Sequence, residues 1–386
     1  MHLHVSERQG QISQSEIRAM TSACARLGGI NLAQGVCDLE VPVEVREGAH
    51  KAIEDGFNVY TRYDGLPALR QAIARKHEAH TGIPVDPETQ IVVSAGSTGI
   101  FHCTVLALLD PGDEVIVFEP FYSYHVATLQ AAGVTPVFVG MEPPRWEVTP
   151  GEIERAVSPR TRAIILNTPA NPSGKVFSRE EIEAVAGIAR DRNLFVFTDE
   201  MYEHFVYGEV QHLSPVVVEG MADRTITTSG FSKIFSITGW RIGYCVCDEK
   251  WAQAIGHLND LIYVCAPAPL QMGVVSGLNS LGRGYYDSVA GQYKCKRDRI
   301  CEALSSAGLQ PHIPQGAYYV LADMSIVPGS SARDRALEFL RSTGVASVPG
   351  SAFYHDHAGD HLCRFCFAKD DAVLDEACRK IAGYRT

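Results

Sequence analysis

Short apolar runs alternate with helix-like stretches through the middle of this chain, and that alternation limits its fold more than any other feature. Residues 90–93, 114–118, 135–139, 163–166, 194–197, 225–228 and 242–246 read as strands. Between them, residues 100–109 read as a helix ending at Asp110-Pro-Gly112. A second helix is expected from Ser178 to Asp191, with Glu181 in the capping-box position. Apolar strands separated by helices imply a mostly parallel sheet covered on both faces. Ligands in such sheets bind beyond the carboxyl ends of the strands. Residues 94–99, 171–174, 199–202 and 229–233 each follow a strand, so they are expected to converge on one edge.

At 386 residues the chain is too long for one compact core and suits two domains. From about residue 276 its character changes. A long helical pattern runs through 293–304, short strands are expected at 317–322 and 363–367, and helices at 331–343 and 371–381. This predicts a large domain over residues 45–275, and a smaller α/β domain formed by residues 1–44 together with 276–386.

The net charge of −11 argues against a nucleic-acid or polybasic membrane surface, but leaves room for small anions held by a few arginines. Residues 1–10 are polar, with His2, His4, Glu7 and Arg8, and do not form a secretory signal. The longest apolar stretch, 261–275, is interrupted by Pro267, Pro269 and Gln271. It falls short of the ~20 residues of a membrane helix. Eleven scattered cysteines, an odd number, fit reduced thiols in the cytoplasm. Cys245 and Cys247 share one strand face and are expected to pack. Cys363 and Cys366 have redox or zinc spacing but no second pair. His355, His357, Asp360 and His361 fall in a polar loop. No metal site is expected.

Ser229-Gly-Phe-Ser-Lys-Ile-Phe-Ser-Ile-Thr-Gly-Trp-Arg-Ile-Gly243 places Lys233 among small, hydroxyl and apolar residues, eight positions before Arg241. Desolvation disfavours an ammonium ion, and a neutral amine is what a carbonyl needs to form a Schiff base. Ala95-Gly-Ser-Thr-Gly99 lies between a strand and a helix. Its free amides form an anion site that is neither a Walker loop nor a dinucleotide fingerprint.

The chain also carries Asn31-Leu-Ala-Gln-Gly35, Val59-Tyr-Thr-Arg-Tyr-Asp-Gly65, Glu119-Pro-Phe-Tyr-Ser-Tyr124, Asn167-Thr-Pro-Ala-Asn-Pro-Ser-Gly174, Asp199-Glu-Met-Tyr202 and Cys363-Arg-Phe-Cys-Phe-Ala-Lys369. In this order, the motifs resemble the class I/II, fold-type I aminotransferases that use pyridoxal 5'-phosphate (PLP). The similarity spans roughly residues 31–369. Arg364-Phe-Cys-Phe-Ala-Lys-Asp370 resembles most the kynurenine/glutamine transaminase and methionine aminotransferase branch.

The resemblance implies a large domain built on a mostly parallel, seven-stranded type of sheet between helices, plus a smaller α/β domain. It implies that Lys233 is the Schiff-base lysine and general base, with Gly96, Ser97, Thr98 and Arg241 around the cofactor phosphate. Tyr122 would stack on the pyridine ring, with Phe121 and Tyr124 as substitutes. Asn171 and Tyr202 would reach the ring hydroxyl oxygen, and Asp199, rather than Glu200, the pyridine nitrogen. A carboxylate there keeps the ring able to accept electrons. Gly35, Asn171 and Arg364 would meet the substrate carboxylate, Arg364 by a two-bond fork. Tyr60 would reach the phosphate of a partner subunit, which implies a homodimer with a shared site.

The activity implied is ping-pong transfer of the amino group of an L-amino acid to a 2-oxo acid. A β-lyase acting on a cysteine conjugate or cystathionine would use the same residues. A non-catalytic regulator on the same fold is the reading from another class. Many relatives carry a serine three residues before the lysine. Here that position is Gly230, leaving Ser229 and Ser232 as alternatives. An acidic substrate would call for a further arginine such as Arg62. Tyr63, Tyr122, Tyr124, Phe353 and Tyr354 would suit aromatic or long apolar side chains.

Overall fold

Seven short runs rich in valine, isoleucine and phenylalanine pair into one sheet, in the order Ile91–Ala95, Ile242–Val246, Thr225–Gly230, Phe195–Asp199, Thr161–Asn167, Glu114–Glu119 and Thr135–Gly140. The computed structural model describes residues 5–10 and 15–385. Residues 1–4, 11–14 and 386, expected from sequence in the smaller domain, lie outside them. Six strands run parallel, and Ile242–Val246 runs antiparallel to both its neighbours.

The sheet is buried on both faces, and the two-residue period of a strand sorts its side chains between them. Val92, Val115, Val117, Ile165, Phe197, Ile226, Cys245 and Cys247 pack with helices Gly96–Leu108, Ser123–Ala131 and Glu249–Tyr263. Their neighbours Val93, Ile116, Phe118, Ile164, Leu166, Val196 and Tyr244 face the other core, with Leu69 and Ile73 of helix Pro67–Thr81 and Ile182 and Val185 of helix Arg179–Asp191. Arg179–Asp191 starts as its sequence predicts. The Ser178 hydroxyl accepts the Glu181 amide at 3.2 Å, and the Glu181 carboxylate accepts the Ser178 amide at 2.8 Å.

One difference from the sequence reading bears on function. The helix expected from residue 100 begins at Gly96, directly after the strand. Gly96 has φ +81°, a left-handed conformation that turns strand into helix without a linker. The apolar stretch 261–275 divides between helices Glu249–Tyr263 and Ala268–Ser280. Among the described residues no helix is long and apolar enough to cross a membrane.

A second, antiparallel sheet contains Val348–Pro349, Leu362–Cys366, Tyr319–Asp323 and Gln310–His312 in that order. Ile30–Asn31 pairs in parallel with Val345–Ala346 and so joins the N-terminal segment to the C-terminal one.

Candidate active site

The parallel strands end on the same edge of the sheet, and the antiparallel strand starts there. Ala95 pairs with Ile242, so Arg241 stands beside the start of helix Gly96–Leu108. Every site residue selected from the sequence, except Gly96 and Tyr60, lines one cavity of about 890 Å³ on this edge.

One end of the cavity is an anion cradle. Ser97 and Thr98 occupy the first turn of their helix, where backbone N–H groups lack intrahelical partners. The Arg241 guanidinium lies against Gly96. It donates to the carbonyls of Thr238 (3.1 Å) and Ala95 (3.4 Å). Any Cβ on Gly96 would stand 2.4 Å from Arg241 Nη2, so the cradle requires glycine there. Ser232 lines the cavity. Ser229 turns the other way and donates to Glu203 Oε1 at 2.7 Å. At Gly230 a Cβ would lie 2.9 Å from Met201 Cε and 3.1 Å from Gly243 Cα, so a serine there would crowd Met201 and the Gly243 backbone.

The middle of the cavity presents a carboxylate, an amine and aromatic rings. Asp199 Oδ2 lies 3.0 Å from His125 Nε2, and Asp199 Oδ1 accepts the Met201 amide at 3.3 Å. Glu200 points away and binds Ser214 Oγ (2.7 Å), Thr198 Oγ1 (2.9 Å) and His212 Nε2 (2.9 Å). Tyr122 and Tyr124 stack with centroids 5.3 Å apart and both line the cavity, whereas Phe121 is buried in the core. The Tyr202 and Tyr319 hydroxyls are 3.1 Å apart, and burial raises the pKa of both phenols, keeping them protonated. Lys233 Nζ donates to the Gly35 carbonyl at 3.0 Å. Burial lowers its pKa, with a smaller contribution from Arg241 and Arg364, which favours the neutral amine.

At the far end Arg364 is buried, with its guanidinium 4.2 Å from the Tyr319 ring centre and 5.0 Å from that of Phe353. It donates to Asn171 Oδ1 (2.7 Å) and the Ala33 carbonyl (2.8 Å), while its Nε has no partner among the described residues. A Cβ on Gly35 would meet Tyr319 Oη at 1.9 Å, so that backbone approach also needs glycine.

Tyr60 is 81% exposed and lies outside this cavity. Arg62 is also outside it, paired with Asp64 (2.6 Å) and Glu88 (3.1 Å). His355 Nδ1 binds Glu119 at 2.8 Å, and His357 Nδ1 binds Asp360 at 3.0 Å. No group of three metal-ligating side chains is assembled among the described residues.

Three contributors were not selected from the sequence: His125, Tyr319 and the helix Glu16–Arg26. His125 had a signal, one helical turn beyond Tyr122. Tyr319 and the helix had none, because they reach the cavity only through the second sheet.

The cavity fits PLP: a glycine-dependent anion cradle, an amine with lowered pKa, a fixed carboxylate and an arginine with an unused donor share one wall system. Fold and site together define a fold-type I enzyme of the PLP-dependent class. The chain belongs to the aminotransferase class I and II family, whose model matches residues 28–381. It is 35% identical over 378 residues to the probable N-succinyldiaminopimelate aminotransferase DapC of Mycobacterium tuberculosis, covering 94% of each chain. The solved structure of that species' N-succinyldiaminopimelate aminotransferase superposes with a TM-score of 0.95 at 34% identity, covering 98% of this chain and 99% of the other. Human kynurenine–oxoglutarate transaminase 1 is 33% identical over 387 residues, covering 91% of this chain and 92% of its own. The methionine aminotransferase YbdL of Escherichia coli superposes with a TM-score of 0.94 at 29% identity, covering 99% and 100%. The protein is an aminotransferase, in a branch whose relatives include kynurenine and methionine enzymes.

Proposed function

We propose that this aminotransferase moves the amino group of an L-amino acid to a 2-oxo acid in two half-reactions, with Lys233 as the residue that attaches PLP and carries the proton. The observation behind this reading is the Lys233 amine, deprotonated more readily by burial and set in one cavity with Asp199, Arg241 and Arg364. When bound, PLP supplies a ring that holds the electron pair left on Cα and a carbon that stores the amino group between half-reactions.

Around it, Gly96, Ser97, Thr98 and Arg241 would hold the phosphate, with Ser232 the serine on the cavity wall. Asp199, steadied by His125, would keep the ring nitrogen protonated. Tyr122 would cover the ring face, and Asn171 and Tyr202 its hydroxyl oxygen. Arg364, Asn171 and the Gly35 backbone would orient the substrate carboxylate. Lys233 Nζ, released when the donor's amine takes its place, would accept the Cα proton and deliver it to the carbon that the cofactor supplies to store the amino group. Water would then free the 2-oxo acid, and a second 2-oxo acid would run the sequence backwards.

We also propose a homodimer that completes the site through the partner's Tyr60. Support comes from Tyr60, exposed and outside the cavity, and from the exposed apolar side chains Val59, Leu261 and Val264. The division into residues 45–275 and 1–44 with 276–386 is proposed from the pairing of Ile30–Asn31 with Val345–Ala346. Cytoplasmic location is proposed from the eleven unpaired cysteines.

The test is Lys233→Ala. The variant is expected to lose multiple turnover and the lysine-linked cofactor mass found after borohydride reduction of the wild type. Steady turnover by the variant refutes the assignment. Pyruvate released by the wild type without any oxo acid acceptor would replace transfer by β-elimination.

A further inference from the structure

The charges lining the cavity leave one residue unexplained. Among the described residues they are Arg18, Asp199, Lys233, Arg241 and Arg364. The aminotransferase reading, on which this inference rests, uses four. Arg241 answers the cofactor phosphate, Lys233 its carbonyl carbon, Asp199 its ring nitrogen and Arg364 the substrate α-carboxylate. Arg18 has no counterpart.

Arg18 sits in the first turn of helix Glu16–Arg26. Ile17, Arg18, Thr21 and Ser22 face the cavity at helical spacing, while Met20, Ala23 and Cys24 are buried in the core. Asn31 Nδ2 donates to Thr21 Oγ1 at 3.2 Å, which ties this face to the residues that hold the reacting groups. Asn31 Oδ1 in turn accepts the amides of Ala33 (3.0 Å) and Gln34 (3.2 Å). The Ala33 carbonyl holds Arg364, and the Gly35 carbonyl holds Lys233. Glu16, on the same turn, pairs with Arg333 at 3.1 Å instead of Arg18. Asp199, the one carboxylate on the cavity wall, is engaged by His125. Among the described residues Arg18 makes no ion pair.

The cavity also has room to spare. At about 890 Å³ it lies near the top of the range for small-molecule sites, roughly 300–1,000 Å³. Ile17 and Val36 give the same cavity apolar wall.

We propose that Arg18 is a specificity-determining residue, the receiver for a second carboxylate at the end of the substrate side chain. A guanidinium presents two parallel donors to such a group. The preferred donor is therefore an amino acid whose side chain ends in a carboxylate, with a matching dicarboxylic 2-oxo acid.

The test compares 2-aminoadipate with norleucine, similar in length and differing in the terminal charge. It uses wild-type holoenzyme, Arg18→Gln and Arg18→Lys. The wild type is expected to favour 2-aminoadipate in kcat/KM. Arg18→Gln should lower the aminoadipate-to-norleucine ratio by about tenfold, the loss of one charged hydrogen-bonded contact. Arg18→Lys should recover part of it, which also controls for folding. Glutarate, which has no amino group to transfer, should bind the wild type more tightly than Arg18→Gln by a similar factor in calorimetry. An unchanged ratio and unchanged glutarate affinity in Arg18→Gln, or a wild type indifferent to the terminal charge, overturns the assignment of Arg18 alone. If wild-type enzyme with bound cofactor transfers no amino group from any donor, the aminotransferase reading fails first.

Discussion

Replacing Gly96 with alanine tests whether the first turn of helix Gly96–Leu108 and Arg241 act as one phosphate cradle. Two costs follow from the geometry. The backbone at φ +81° disfavours an L-residue, costing roughly 1–2 kcal/mol of stability. The new methyl would also lie 2.4 Å from Arg241 Nη2 and 2.8 Å from its Cζ. The guanidinium is the far end of a flexible side chain, so it gives way rather than the backbone. It then leaves the place it shares with the Ala95 carbonyl. A displaced arginine loses one charged hydrogen bond to phosphate, worth about 1.5–3 kcal/mol, or about 10- to 150-fold in affinity. The assay titrates apo-protein with PLP and with pyridoxal, which lacks the phosphate, and follows urea unfolding in parallel. PLP affinity should fall by that factor while pyridoxal affinity stays nearly constant. Equal losses for both ligands, or none for either, would refute the cradle.

Two more predictions concern the surroundings of the site. Gly230→Ser should cost about 1–3 kcal/mol through crowding against Met201 and Gly243 and bring no gain in PLP affinity; a tighter cofactor at unchanged urea midpoint would contradict it. Burial holds the His204 imidazole neutral, its pKa pulled down to about 3 from 6.5 against the opposing pull of Glu203. The unfolded chain therefore takes up this proton below pH 6.5 while the folded chain resists it until about pH 3, so stability should fall by a few kcal/mol as pH drops through that window. In His204→Phe the urea midpoint should depend less steeply on pH between 6 and 4, and identical slopes would exclude the histidine as the source.

The residues legible from sequence are those whose place follows from the sheet itself. Asp199, Asn171, Lys233 and the Gly96 turn each follow a parallel strand, and strand ends in such a sheet share an edge. Asp199 and Glu200 show where this stops. They are adjacent, and the sequence reading preferred Asp199 only through the motif it forms with Tyr202; the structure turns Asp199 into the cavity and Glu200 toward His212. Choosing Ser232 over Ser229 needed the Glu203 carboxylate, which draws Ser229 to the other face of the sheet. Tyr319 and Arg18 were out of reach for a different reason. Their helix and strand approach the cavity through Ile30–Asn31 pairing with Val345–Ala346 and Tyr319–Asp323 pairing with Leu362–Cys366, and local spacing carries no record of such distant partners.

Arg364 binds Asn171 across 193 residues of chain and Ala33 across 331. That makes the Arg364 contacts among the most non-local of the molecule, and non-local contacts close late in folding. A chain emerging from the ribosome exposes its lysine segment and anion cradle well before strand Leu362–Cys366 exists to deliver Arg364. Early capture of the cofactor would therefore precede any grip on an amino acid. A ligand that binds only assembled protein draws the folding equilibrium toward it. On the proposed function, substrate analogues engaging Arg364 would report the finished chain, whereas phosphate alone would report the large sheet.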